Sequence, residues 1–492
     1  MKLNKYKYLI LLLAGVVVGC SSDDDNEMIV EPVEYTSGSA DFSTYVAIGN
    51  SLTAGYTDGA LFRAGQLNSI PNILAQQFEL AGGGEFVQPL IPDNIGGLLL
   101  GGNVIAEPRL YFNGSAPVRR SATPTTEVST RLAGPFNNMG VPGAKSFHLM
   151  AQGYGNVAGV ATGQANPYFA RFASSNAASM LGDAISQEPT FFSLWIGNND
   201  VLSYATSGGA GVNQAGNTNP ATYGSDDITD PTVFAQVYAG IVATLKSTGA
   251  DGVVANIPNV MTIPYFTTVP HNPVPLDAAT AGAVNQGFLQ YNGGLQLAVQ
   301  NNLISAEEAA KRTISFAAGQ NAVVIEDESL TNLSTSIGLP SYRHATAQDL
   351  IVLPASSFIG TVVGGNPQLI NGVSVPLGDK WVLTPSEQAE VLAATTAFNQ
   401  TIKTVAEANG LAFVDANSIL NQVAVTGLAF DEFSLNARLV FGGAFSLDGV
   451  HPTSRGKAFL ANKFIEAINA KFGSNLPPVK AAGYTTLYPA SM

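Results

Sequence analysis

Short apolar runs alternate with helical patterns along most of this chain, and this alternation constrains the fold more than any other feature. Each run has the length of a buried strand, and the segments between runs carry the spacing and end signals of helices. Strands separated by helices pair in parallel, because each helix returns the chain to the starting edge of the sheet. The sequence therefore predicts an α/β fold with a central parallel sheet.

The predicted elements leave two stretches unassigned to the sheet. Strands are predicted at 45–48, 191–196, 252–257 and 411–415, and helices at 169–185, 231–247, 385–409 and 452–472. The stretches at about 57–135 and 261–379 are too long for simple connections, and the second contains helical patterns at 278–301 and 306–319. We expect both to be insertions that decorate the sheet and shape a cleft. The domain is predicted to span 41–475, followed by a C-terminal tail at 476–492.

The N-terminus has the features of an export signal. Lys2, Lys5 and Lys7 precede an apolar run at 8–18 that is too short to span a bilayer. The run ends in small residues before Cys20, a pattern that resembles the lipobox of bacterial lipoproteins. The resemblance implies that 1–19 is a signal peptide and that Cys20, the only cysteine of the chain, is lipidated and becomes the mature N-terminus.

An acidic, polar segment follows Cys20. A run such as 21–27 cannot bury apolar area, so 20–40 is predicted to be a flexible tether. The run is similar to the export signal that carries some Bacteroidetes lipoproteins to the outer face of the outer membrane; a plain solvated linker predicts the same flexibility. We therefore expect an outer-membrane lipoprotein on the periplasmic or cell-surface face, with the membrane as a partner.

Composition and charge exclude several classes of function. The formal net charge of −14 repels phosphate backbones, so a nucleic-acid partner is not expected. A single cysteine excludes an internal disulfide, and four scattered histidines do not predict a zinc site. The string at 153–158 resembles a dinucleotide-binding motif but follows no predicted strand, and no Walker A sequence occurs. Neither a metal nor a cofactor is predicted.

Three polar motifs fall where open α/β sheets bind ligands, at or just past the ends of strands. The first, at 49–56, places Ser51 at a turn directly after the first predicted strand. The second, at 138–143, is rich in glycine, and the N–H of Gly140 can be aimed at a developing oxyanion. The third, at 197–200, follows the strand at 191–196, and Asn199 can donate its amide to the same oxyanion. Each motif alone is an ordinary turn.

A fourth motif supplies the groups that activate a serine. Asp448 and His451 lie three residues apart, just before the last predicted helix. A serine hydroxyl needs a neutral imidazole to accept its proton, and the imidazole needs a carboxylate to fix its tautomer. The histidines at 148, 271 and 344 have no such neighbour in sequence.

Together the four motifs resemble the SGNH hydrolases, also called GDSL esterases, whose Ser, Gly, Asn and His occur in separate blocks in this order. The resemblance implies a three-layer α/β/α, flavodoxin-like fold with large insertions. It implies Ser51 as nucleophile, His451 and Asp448 as base and acid, and an oxyanion hole of Ser51, Gly140 and Asn199. The implied substrate is an acyl ester, either a lipid, an acetylated glycan or a small soluble ester, and no cofactor is required.

One position departs from the family pattern and leaves an alternative. The first block of the family usually reads Gly-Asp-Ser-Leu, whereas this chain has Asn50, which keeps the shape of aspartate but not its charge. The substitution is expected to change the rate of the reaction more than its type. The alternative is a non-catalytic surface binding lipoprotein that retains the same scaffold.

Overall fold

Five strands form the central sheet of the protein, in a computed structural model that describes residues 33–492. They are β1 (Tyr45–Gly49), β2 (Asn138–Gly140), β3 (Phe191–Trp195), β4 (Asp251–Ala255) and β5 (Ala412–Val414). The spatial order is β5-β4-β3-β1-β2, and every neighbouring pair is parallel. The chain leaves β1 on one side to form β2 and returns past β1 to form β3. This reversal creates a crevice at the carboxyl ends of β1 and β3, where doubly wound sheets bind ligands.

Helices cover both faces of this sheet, which explains why its strands are apolar at successive positions. All residues of β1 and β3 are buried, as expected for parallel strands covered on both sides. On one face α3 (Ile70–Glu79) packs against α14 (Ser454–Phe472). The other face carries α5 (Met180–Ile185), α7 (Pro231–Lys246) and α12 (Pro385–Ala408). The predicted three-layer α/β/α fold is confirmed.

The long helices begin and end at the signals predicted from the sequence. The Asp230 side chain accepts hydrogen bonds from the first turn of α7, and Thr384 forms a capping box with Glu387 at the start of α12. Helix α14 ends at Gly473, whose φ of +71° is in the left-handed region that glycine adopts without strain. The predictions for 231–247, 385–409 and 452–472 are correct to within one or two residues.

The prediction of one helix at 169–185 is wrong. The structure has α4 (Pro167–Ala170) and α5, separated by an irregular segment. Ser174 in that segment binds the Asp183 side chain through its N–H and its hydroxyl, and Ser179 caps α5. These side-chain bonds to the backbone compete with a continuous helix.

The first long stretch, at about 57–135, carries a short helix and two hairpins. It contains α2 (Arg63–Leu67) before α3, then the paired strands Leu98–Leu100 with Asn103–Ala106 and Leu110–Phe112 with Pro117–Arg119. Arg109 between the hairpins is fully buried, and its guanidinium donates to backbone carbonyls of Asn94, Leu110 and the C-terminal tail. The hairpins are therefore fixed to the body of the domain.

The second long stretch, at about 261–379, contains helices and small antiparallel pairs. The helices are α8 (Pro264–Thr267), α9 (Ala278–Gln300), α10 (Ala306–Arg312) and α11 (Ser334–Ile337). The predicted helix at 306–319 thus ends early, at Arg312. The strand pairs are Val274–Leu276 with Gly319–Asn321, Val324–Glu326 with Tyr342–His344, and Leu350–Ile351 with Val382–Leu383. Buried Arg343 bridges Asp327 and Asp349 and holds the loops around the second pair.

The remaining elements lie near the ends of the sheet strands. They are α1 (Ser51–Ala54), α6 (Asn199–Thr206), α13 (Ala416–Val425) and the hairpin Leu428–Phe430 with Phe433–Leu435. None of the helices within residues 33–492 combines the length and apolarity needed to cross a membrane.

The first described residues bind to the C-terminal end of α14 and the residues just after it. The Ser39 N–H donates to the Phe472 carbonyl at 2.8 Å, and the Thr36 N–H donates to the Asn475 side chain at 2.6 Å. The flexible tether predicted at 20–40 therefore does not extend through 36–40, which is bonded to the domain. The predicted signal peptide, Cys20 and most of the tether lie outside the described residues.

Three carboxylates meet where α12 begins. Oxygens of Glu328, Asp379 and Glu387 lie within 4.8 Å of one another. Burial, followed by the charge of Glu328, raises the pKa of Asp379 to about 6, and burial raises the pKa of Glu387 to about 7 despite its hydrogen bonds from Thr384. Because these groups bind protons more tightly in the folded state, they favour folding at low pH, and that contribution is lost as pH rises through about 6 and 7.

We predict that Asp379→Asn raises the melting temperature more at pH 8 than at pH 5, because it removes a carboxylate whose pKa is raised to about 6 and whose charge, formed above that pH, repels its neighbours. Thermal unfolding at the two pH values measures the difference. Glu432→Gln, at an exposed carboxylate in the 428–435 hairpin, is the control and should show little dependence on pH. Equal stabilisation by Asp379→Asn at both pH values would contradict this account.

Candidate active site

Ser51 is the first residue of α1, directly after the turn that ends β1. Asn50 is the N-cap of this helix, and its side-chain oxygen accepts the Leu52 N–H at 3.0 Å. The first N–H groups of a helix have no partner within the helix, so the Ser51 N–H is free to donate outward. The sharp turn thus presents both the hydroxyl and the N–H of Ser51 at the edge of the sheet.

Two glycines allow α1 to approach the strand ends closely. A Cβ at Gly49 would lie 2.4 Å from the Trp195 carbonyl oxygen, and a Cβ at Gly140 would lie 2.2 Å from the Ala54 nitrogen. Contacts below 3.0 Å with backbone atoms cannot be relieved without moving the chain. Both positions therefore require glycine for packing.

His451 reaches Ser51 from the other end of the chain. Its Nε2 lies 2.9 Å from the Ser51 Oγ, and its Nδ1 lies 2.9 Å from Oδ2 of Asp448. The Tyr56 ring packs at 4.7 Å from the imidazole. The structure therefore brings the three predicted residues Ser51, His451 and Asp448 into one hydrogen-bonded chain, in the order that nucleophilic catalysis requires.

Asp448 is held by more donors than His451 alone. Its Oδ1 accepts the N–H groups of Val450 and His451 at 2.9 Å and the Ser446 hydroxyl at 3.0 Å. Its Oδ2 accepts the Gly59 N–H at 2.8 Å in addition to the imidazole. Burial acts to raise the pKa of Asp448, but the charge of His451 and these hydrogen bonds outweigh it and hold the pKa well below its usual range. The carboxylate therefore stays ionised and can fix the imidazole tautomer.

Asn199 is the first residue of α6, which follows β3. Its amide nitrogen donates to the Ala144 carbonyl at 2.9 Å, and its second N–H donates to no described group. The next residue, Asp200, is fully buried and accepts the N–H and the hydroxyl of Ser146 at 2.8 and 2.7 Å. The loop after β2 is therefore bonded to the start of α6.

The structure contradicts the predicted oxyanion role of Gly140. Its N–H donates to the side-chain oxygen of Asn138 at 3.0 Å, within the same strand, so it is not available to a substrate. In the same loop the N–H of Gly143 donates to no described residue. Gly143 has a φ of +82° and adjoins Ala144, the residue that Asn199 binds. Gly143 rather than Gly140 thus offers a free backbone donor beside Asn199.

Asn50 and Asn198 connect the loops after β1 and β3. The Asn50 amide nitrogen donates to the Asn198 side-chain oxygen at 3.0 Å, and both residues are buried. Asn50 stands where the family pattern has Asp. It keeps the side-chain oxygen that caps α1, and its amide N–H adds a donor to Asn198. This bond fixes Ser51 relative to the neighbouring Asn199.

Sequence reasoning did not identify several of these supporting groups. The Gly59 N–H, the Ser446 hydroxyl and the Asn198 side chain come from loops whose meeting depends on the tertiary fold. Gly143 carries a local signal, since a Pro-Gly pair marks a turn in which the glycine takes a positive φ. That signal is present at Pro142-Gly143.

The other histidines and the acidic cluster lie outside this site. His148 stacks on Tyr154, and burial lowers its pKa to about 4. His344 bonds to backbone carbonyls of the second insertion. The carboxylates of Glu328, Asp379 and Glu387 are close enough to hold a cation, but they are not among the groups around Ser51.

Comparisons with known proteins give only distant structural matches. No family model and no curated protein matches the chain. The chain is similar to an acetyl-xylooligosaccharide esterase from Geobacillus stearothermophilus (TM-score 0.32, 11% identity, 88% of this chain and 96% of that one). It is also similar to an α/β hydrolase from the metagenome of Lake Arreo, Spain (0.32, 11%, 87% and 96%), and to an extracellular lipase from Streptomyces rimosus (0.28, 12%, 87% and 98%).

We predict that Asn50→Ala lowers the free energy of unfolding by about 1–2 kcal/mol, because it removes both the helix cap and the partner of buried Asn198. Asn50→Asp keeps the capping oxygen and should cost less. Chemical denaturation of the two variants and the wild-type protein makes the comparison. If Asn50→Asp lowered the free energy of unfolding more than Asn50→Ala, helix capping would not be the main contribution of Asn50 to stability.

Proposed function

We propose that this protein is a serine carboxylic-ester hydrolase with Ser51 as nucleophile, His451 as general base and Asp448 as the acid of the triad. The observation that carries the proposal is the continuous hydrogen-bonded chain from the Ser51 Oγ through the imidazole to an ionised carboxylate. Its position at the carboxyl ends of β1 and β3 adds support, since this edge is where such sheets bind ligands.

In the proposed reaction, the Ser51 Oγ attacks the ester carbonyl carbon while His451 Nε2 takes the hydroxyl proton. The developing oxyanion is stabilised by the N–H of Ser51, the N–H of Gly143 and the free amide N–H of Asn199. The tetrahedral intermediate then collapses, and His451 gives its proton to the departing alcohol. Water, deprotonated by the same imidazole, attacks the acyl-enzyme and releases the carboxylic acid and Ser51.

We expect Ser51→Ala and His451→Ala each to lower kcat for 4-nitrophenyl acetate by on the order of 10⁴-fold or more, because nucleophile and base act as one unit. Asp448→Asn should cost on the order of 10³–10⁴-fold by removing the ionised group that fixes the tautomer. Initial rates with purified variants measure these effects, and circular dichroism establishes that the fold is retained.

His148→Asn is the matched control, because it changes a histidine outside the site and should leave turnover largely unchanged. If His451→Ala kept most of the activity, the assignment of the base would be wrong. If the wild-type protein turned over no ester while binding one, the alternative of a non-catalytic binding lipoprotein would be favoured.

We further propose that Cys20 carries a lipid anchor that holds the protein on the outer membrane, on its periplasmic or cell-surface face. Support comes from the sequence alone, in which small residues precede the only cysteine of the chain and an acidic, polar segment follows. The segment from Ser21 to about Tyr35 would be the leash, since Thr36 and the residues after it are bonded to the domain.

Cys20→Ser should release the protein from the membrane fraction while leaving ester hydrolysis unchanged, because every proposed active-site residue lies at Ser51 or beyond. Several acyl chains on one residue hold a protein stably on a membrane, and the Cys20→Ser protein has no cysteine to carry them. Fractionation followed by activity assay tests the proposal, with Ser21→Ala as control. A Cys20→Ser protein that stayed as membrane-bound as the wild type would rule out the anchor but not the hydrolase.

A further inference from the structure

A cleft of about 910 Å³ opens beside the candidate active site and includes Asp448 in its wall. Three parts of the chain build it: the Leu110–Arg119 hairpin of the first insertion, the 265–273 and 353–359 segments of the second, and the loop at 439–448. Its volume falls in the range of pockets that enclose most of a small-molecule ligand. The insertions thus shape a binding space that adjoins the triad.

The walls of this cleft are mainly apolar. Hydrophobic side chains of the second insertion and the 439–448 loop contribute most of the inner surface, several of them only half-buried: Tyr265, Val269, Leu353, Ile359, Leu439 and Leu447. Apolar side chains left facing a concave space gain free energy when an apolar ligand covers them. The lining therefore favours a hydrocarbon group over a polar one.

The charged side chains of the lining are already bonded within the protein. Arg119 donates to the carbonyls of Gly59 and Pro108 at 3.2 and 2.8 Å. Asp448 accepts hydrogen bonds on both oxygens from the protein itself. Both oxygens of Asp448 and one nitrogen of the Arg119 guanidinium are therefore engaged within the protein.

The cleft and the triad share Asp448 and the 448–451 turn. Gly449 in this turn has a φ of +73° and packs closely on Tyr265 and Leu353, which line the cleft. The Tyr265 N–H also donates to the Gly449 carbonyl at 2.9 Å. His451 at the end of the same turn lies 2.9 Å from the Ser51 Oγ through its Nε2, so this turn contacts the cleft on one side and the nucleophile on the other.

We propose that the cleft binds the acyl chain of a medium- to long-chain ester, so that the substrate is a lipid-like ester rather than an acetylated glycan. This inference rests on the proposed hydrolase function. It assigns substrate preference to Tyr265, Leu353 and Ile359 of the second insertion and to Leu439 of the 439–448 loop, none of which takes part in the chemistry.

The test is a series of 4-nitrophenyl esters from acetate to dodecanoate, used below their aggregation limits. Each methylene moved from water to the cleft can raise kcat/KM by up to about fourfold, so octanoate should exceed acetate by roughly 10-fold or more. Leu439→Trp and Ile359→Trp fill the cleft and should lower octanoate turnover by roughly 10-fold, while acetate turnover changes by less than about twofold. Retained acetate turnover shows that each variant is folded.

Leu369→Trp is the matched control, because Leu369 lines a separate apolar depression with Val284, Phe288 and Ile370 in the same insertion. It should leave the chain-length profile unchanged. Acetate hydrolysed as well as octanoate, or a long-chain preference unaffected by both cleft variants, would overturn the inference and leave the hydrolase intact.

A binding measurement tests whether the cleft holds an acyl chain, independently of ester turnover. The Ser51→Ala protein should bind the fluorescent methyl ester of cis-parinaric acid, and Leu439→Trp in that background should weaken binding by roughly 10-fold. If no ester were hydrolysed but this binding pattern held, the proposed function would fail and the acyl cleft would stand. If the ester bound equally with and without Leu439→Trp, the cleft assignment would be wrong.

Discussion

The parallel pairing of β1 with β2 on one side and β3 on the other is the constraint on which the rest of the structure depends. Because all three strands run the same way, the loops that follow them meet at one edge, and these loops carry Ser51, Gly143 and Asn199. Side-chain bonds then tie the loops together: Asn50 to Asn198, and Asn199 to the Ala144 carbonyl. The strands and the bonds between their loops thus fix the relative positions of Ser51, Gly143 and Asn199, which no single loop could do.

The acid of the triad shows how the insertion and the closing segment cooperate. Asp448 is supported from its own turn by Val450 and His451 and from the first insertion by Gly59. Burying an ionised carboxylate costs free energy unless hydrogen bonds stabilise the charge. Both oxygens of Asp448 accept such bonds. The first insertion therefore belongs to the support of the site as well as to the cleft, which explains why Thr57, Asp58 and Gly59 lie against the loop at 446–452.

The fold was predictable from the sequence where the signal was local and continuous. β1 is an apolar run, β3 is apolar apart from Ser193, and α7, α12 and α14 carry caps at their ends. β2 was not predictable, because three residues ending in a glycine form no run, and the break between α4 and α5 depends on the bond between Ser174 and Asp183. In the site, Asp448 and His451 are close in sequence and were found, whereas the choice between Gly140 and Gly143 depends on where the Asn138 side chain points.

Ser51 and His451 are separated by 400 positions in the chain. Ser51 is synthesised first, and His451, with the helix α14 that follows it, is synthesised 400 positions later. An unfinished or unfolded chain therefore has no activated serine, because loop closure over such a distance requires the whole sheet to have formed. The hydrolase activity proposed for this site therefore appears only after the domain has folded.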